Sequence, residues 1–212
     1  MMGRKMGAHE ERPAGWIPDL KVPDHTLWLP VASDKPLKEL GREAALNILG
    51  SGAPEDRLEK FARVIRDGTK DCKRRNVRMG GLIFFPDYNR LPPVANIDVF
   101  GYYSNDPQRP NSLEFYRQVY GTPDKGTVGP IEVTDLKLPA GPAIRFHRRF
   151  WPKAGWDPIS HQWEEVIYAV LPPQIDTVVV LRVAWAEFKF SEALIGVADA
   201  VAPTLEIKLR DA

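Results

Sequence analysis

Apolar and polar residues alternate most regularly between Ile131 and Val183, and the alternation predicts a three-stranded meander. In residues 143–150, Ile144, Phe146 and Phe150 share one face, and Arg145, His147 and Arg149 share the other. Val166, Tyr168 and Val170 alternate within residues 163–170. The turn-forming stretch Leu171-Pro172-Pro173-Gln174-Ile175-Asp176 follows. The run 177–185 then sets Val179, Leu181, Val183 and Trp185 against Val178, Val180 and Ala184. A strand apolar on both faces needs cover above and below, so the pattern predicts an α+β fold in which helices or a second layer pack on each side of an antiparallel sheet. The phase of the apolar residues sets Phe146 opposite Tyr168 and Val166 opposite Leu181. Ile144, Phe146, Val166, Tyr168, Val179, Leu181 and Val183 then share one buried face, and Arg149, Glu165 and Arg182 form one cross-strand row.

A 3.6-residue period takes over in residues 36–49, where Leu37, Leu40, Ala44 and Ile48 form a stripe that Asp34 or Ser33 is placed to cap. A second helix opens at Ala53-Pro54-Glu55-Asp56 and carries Leu58, Phe61, Ala62 and Ile65 on one face. Strands are expected at 25–29 (an edge strand, bracketed by Pro23 and Pro30), 80–85 and 95–103, with a short helix at 112–120 capped by Asn111 or Ser112. Residues 126–130 read as a loop and 138–142 as a connection. A last helix capped by Ser191 presents Ala193, Leu194, Val197, Ala198 and Val201 and stops at Pro203, before a brief alternation at 204–207. With no internal repeat, residues 16–212 form a single domain behind a tail, residues 1–15, expected to be disordered for want of apolar side chains.

The formal net charge is +1, which gives no sign of nucleic acid as a partner. The single cysteine, Cys72, excludes an internal disulfide framework and a multi-cysteine zinc site. Its neighbours Lys70, Lys73, Arg74 and Arg75 are of the kind that lower a thiol pKa; the alternative is an ordinary free cysteine near a helix end. The same basic stretch suits binding of phosphates or nucleic acid or, more simply, the solvated C-terminus of a helix, since no aromatic interleaving accompanies it. No apolar run reaches the ~18 residues of a membrane span, and residues 1–15 contain no hydrophobic signal core, so the expected location is cytoplasmic. The four histidines, His9, His25, His147 and His161, show no metal-ligand spacing, and no nucleophile elbow, phosphate loop or dinucleotide fingerprint occurs. The expectation is therefore no catalytic residue, no metal and no cofactor.

The run Glu132-Val133-Thr134, followed by Leu138-Pro139-Ala140-Gly141-Pro142-Ala143-Ile144-Arg145, then Val166-Ile167-Tyr168-Ala169-Val170 and a final helix ending Ala202-Pro203-Thr204-Leu205, resembles the uncharacterised actinobacterial branch of the PsbP-like superfamily. The resemblance implies an α/β/α sandwich and a role in protein binding or assembly, and it carries over no functional residue. A non-catalytic module that binds another protein is thus expected; a small-ligand carrier or an enzyme with a dispersed active site is the alternative. The binding candidates are Arg145, His147 and Arg149, displayed on alternate positions of one strand toward an acidic partner surface. The polar loop tip Asp87, Tyr88, Asn89 and Arg90 is a further place for a partner contact.

Overall fold

The computed structural model describes residues 15–84, 87, 91–102, 110–152 and 161–209. Residues 1–14 of the expected tail, His9 among them, and Tyr88, Asn89 and Arg90 of the loop tip lie outside the described residues.

Seven antiparallel strands run β2 (Thr26–Trp28), β3 (Met79–Ile83), β4 (Ala95–Tyr102), β8 (Val178–Trp185), β7 (Trp163–Val170), β6 (Gly141–Phe150) and β5 (Thr127–Leu138) across the sheet. The meander has four strands, β5 to β8, one more than the alternation predicts, and β8 continues it onto β4. Every residue of β8 is buried, as its two-sided apolar pattern requires. One face packs against α1 (Leu37–Leu49) and α2 (Glu55–Arg74) at the β3 side, and against α3 (Leu113–Gly121) at the β6 side. The other face is covered by α4 (Ser191–Val201) and by a ribbon of β1 (Trp16–Asp19) paired with β9 (Glu206–Leu209). The Trp16 ring sits on the β4 backbone at Gly101, where a Cβ would come within 2.4 Å of its Cζ2 atom.

Three further expectations are corrected. Phe146 lies opposite Ile167 and Val166 opposite Val183. The first is a slip of one residue, and it turns the apolar phase of β6 over: Ile144 and Phe146 face α3, while Val166, Tyr168 and Leu181 face α4, all of them buried. Residues 151–162 join β6 to β7, and a connection of that length does not set register as a two-residue hairpin turn does. Arg148, not Arg149, therefore stands opposite Glu165. Second, the stretch expected as a loop at 126–130 is mostly strand: β5 begins at Thr127 and absorbs Gly129 (φ 72°) and Pro130 in a register shift between Val128 and Glu132. Third, Pro36 occupies the N-cap of α1 without a side-chain bond, and Ser191 is the first residue of α4 rather than its cap. Ser112 does cap α3, its Oγ accepting from the Phe115 N–H at 3.3 Å.

Candidate functional site

Arg145, His147 and Arg149 share the α4 face, and each is tied to a carboxylate of its own chain. Arg145 Nε donates to Asp199 Oδ1 of α4 at 2.9 Å and lies 3.3 Å from the Tyr168 hydroxyl, which itself donates to Asp199. Burial, then the hydrogen bond to Asp199, push the Tyr168 hydroxyl well above the ordinary tyrosine range. His147 stands between Glu132, 3.1 Å from Nδ1, and Glu164, 2.8 Å from Nε2; only a doubly protonated ring donates to both. Arg149 Nε donates to Glu164 Oε1 at 3.1 Å. The Glu164 side chain is buried and also accepts from Trp185 Nε1 at 3.1 Å and from the Ser191 hydroxyl. Burial alone would raise its pKa; Ser191, His147 and Arg149 more than offset this and hold it below the usual value. Of the three basic side chains only Arg149 is half-exposed, at 49%, against 16% for Arg145 and 17% for His147.

The opposite face holds a buried row of charges that joins five elements. Arg75, at the C-cap of α2, donates to Asp71 of that helix at 2.6 Å and to both oxygens of Asp98 on β4, at 2.8 and 3.2 Å. Arg182 of β8 reaches Asp98 at 3.3 Å and donates from Nε to Glu165 of β7 at 2.5 Å. Arg148 of β6 closes the row on the second oxygen of Glu165 at 2.7 Å. The row crosses the sheet between the cluster under α1 and α2 and the cluster under α3. Against it opens a cavity of about 180 Å³, its wall including Cys72, Arg75, Asn96, Asp98, Trp163 and Arg182.

The chemistry of this wall favours cohesion over catalysis. Asp71 and Asp98 are each held by a guanidinium, so their oxygens are engaged within the protein. Burial, and next the charge of Asp98, push the Cys72 thiol up to about 12, opposite to the lowering its basic neighbours suggest in sequence. Arg75, the cation nearest it in the row, is committed to carboxylates. The folded protein is therefore expected to resist alkylation by iodoacetamide at pH 8 and to react fully in urea. Rapid labelling of the folded chain, read by mass spectrometry, would contradict the burial of the thiol. Among the described residues, no group of three or more His, Cys, Asp or Glu is placed to hold a metal ion.

Arg149 also marks the end of the sheet where large apolar groups reach solvent. Its guanidinium carbon lies 5.0 Å from the centre of the Phe188 ring, and Trp151 follows two residues further along the β6 direction. Phe188 is 37% exposed and Trp151 47%. Lys189 adds a second cation beside Phe190, 5.1 Å from that ring. Sequence periodicity passes over this cluster because Trp151 and Phe188 fall just outside the strands. The buried row carries a signal that was legible: Asp98, Glu165 and Arg182 are charged residues inside apolar strands, and a buried charge needs a partner.

Among solved structures, the chain is similar to the crystal structure of LpqN, involved in cell envelope biogenesis of Mycobacterium tuberculosis, with a TM-score of 0.50 and 16% identity over 93% of this chain and 86% of that one. At that identity the likeness speaks for the fold, a large antiparallel sheet flanked by helices. No family model matches the chain, and no curated protein matches it. Among the described residues, no helix is long and apolar enough to cross a membrane.

Proposed function

We propose that this chain is a non-catalytic module of the PsbP-like kind that binds another protein, and that the sheet end carrying Arg149, Trp151 and Phe188 is its contact. The carrying observation is that Arg149 lies against the exposed Phe188 ring and that Trp151, two residues beyond Arg149 in the chain, is exposed as well, all three of types that anchor protein interfaces. Arg149 is the member of the Arg145, His147 and Arg149 set that takes part directly; the other two hold the strand to Asp199 and Glu164. A cavity of 180 Å³ with neutralised walls falls below the ~300 Å³ at which small-molecule sites begin, which weighs against a carrier or an enzyme. The cytoplasm is the compartment that goes with this reading, supported by one buried, unpaired cysteine.

The test is affinity capture from the source organism with the wild-type protein beside the double variant Trp151→Ala/Phe188→Ala and the single variant Arg149→Glu. Proteins captured by the wild type are expected to fall at least tenfold with either variant while the thermal midpoint moves little. Equal capture by all three, or no protein enriched by the wild type, overturns the proposal.

A further inference from the structure

The sheet ends at β5, which among the described residues pairs only with β6. An edge strand presents a row of unpaired N–H and C=O groups, and folded proteins keep such rows short or interrupted. The other edge obeys this, since β2 spans three residues. β5 spans twelve, and its interruption is confined to the first part, where Gly129, Pro130 and the register shift lie. From Glu132 to Leu138 the ladder with β6 is continuous, and among the described residues no strand pairs with the outer edge of this stretch.

The side chains along that stretch restrict what can pair with it. Glu132, Asp135 and Lys137 are exposed, while Leu136 packs against the α4-side core. Asp135 accepts from Arg117 of α3, and Lys137 makes no ion pair among the described residues. Two copies of an edge strand pair antiparallel about a two-fold axis perpendicular to the sheet. The axis passes between a residue and its own equivalent, and facing residues point to the same side of the sheet. Centring on Glu132 or Asp135 sets like charges on each other. Centring on Val133 puts Asp135 against Ile131, and centring on Thr134 puts Asp135 against Val133 and Lys137 against Ile131. Centring on Leu136 alone sets Asp135 against Lys137, twice by symmetry, and Leu136 against Leu136.

We infer that two copies of this chain associate through their β5 edges, antiparallel and centred on Leu136, so that their sheets become continuous. Asp135 then lies between Arg117 of its own chain and Lys137 of the second copy, and the two Leu136 side chains extend the apolar layer under α4. This inference does not depend on the contact proposed at Trp151 and Phe188, which lie outside the paired stretch.

Sedimentation velocity over a concentration series into the high-micromolar range is expected to show a monomer–dimer equilibrium. Lys137→Glu places like charges at both pairs and is expected to weaken dimerisation about tenfold or more. Exchanging the charges with Asp135→Lys/Lys137→Asp is expected to restore it. A second readout fixes the register. A self-paired position brings its two Cα atoms to about 4.5–5.5 Å, within disulfide reach, so Leu136→Cys cross-links under mild oxidation while Thr134→Cys, which faces Leu138, does not. The buried native Cys72 stays out of this reaction. A wild type that is monomeric throughout, a dimer that Lys137→Glu leaves intact or the exchange fails to recover, or cross-linking at position 134 rather than 136 overturns the inference.

Discussion

Replacing Arg182 with methionine is expected to lower the unfolding free energy by about 3 to 5 kcal/mol, read as a shift of the urea midpoint. The side chain is 8% exposed and holds two carboxylates that are themselves buried, Asp98 at 1% and Glu165 at 2%. Without it, each keeps a single guanidinium, from Arg75 and from Arg148. The loss comes from charge left under-compensated in the sheet, so Arg182→Met/Glu165→Gln is expected to recover part of it. The same carboxylate gives the effect a pH signature. Burial by itself raises the Glu165 pKa; Arg182 and Arg148 reverse this and hold it below the ordinary 4.5. A carboxyl depressed in the folded state stabilises above its unfolded pKa, and that stabilisation is lost as pH falls through the folded value. The wild type therefore loses stability on acidification below about 4.5, and the Arg182→Met variant loses less over the same window. A midpoint unchanged at neutral pH would mean that the row contributes nothing to stability.

The second large effect belongs to Phe146→Ala, at about 3 to 5 kcal/mol. Phe146 is fully buried beneath α3, its ring centre 5.7 Å from that of Tyr120 and its neighbours Ile144, Ile167 and Tyr116 in the same cluster. Truncation leaves a hole that the sheet, fixed on both sides by ladders to β5 and β7, has little freedom to close. The denaturation midpoint is expected to fall with the slope unchanged. A midpoint at the wild-type value would contradict the placement of this residue in the core.

The behaviour of Phe146 also shows how far sequence patterning reaches. Its burial follows from alternation within β6, a local property, whereas the face it occupies relative to β7 depends on register. The hairpin from β5 to β6 turns over Pro139 and Ala140, between the paired Leu138 and Gly141, and such a turn sets register locally. The segment 151–162 between β6 and β7 does not. The charges of the buried row stand out in apolar strands, but their pairing does not: Arg75 and Asp98 stand 23 positions apart and Arg182 and Asp98 84 apart, so no spacing rule links them. Arg145, His147 and Arg149 share one face as alternation predicts, but the register slip puts that face under α4 and not beside Ile167 and Val180, and their partners Asp199 and Glu132 come from a helix and an edge strand that alternation in β6 cannot assign.

The position of β8 has a consequence for synthesis. It lies between β4 and β7, and those strands meet nothing of each other until it is inserted. A nascent chain that has not yet delivered Val178 holds two half-sheets, each with one edge that the finished fold covers: β4 in the first and β7 in the second. The inner faces of both are apolar, so a nascent chain whose β7 has emerged from the ribosome while Val178 has not presents two sticky borders at once. Chaperone occupancy measured along the growing chain is accordingly expected to peak in that interval and to drop once Trp185 has emerged, when the two halves are joined by a single strand.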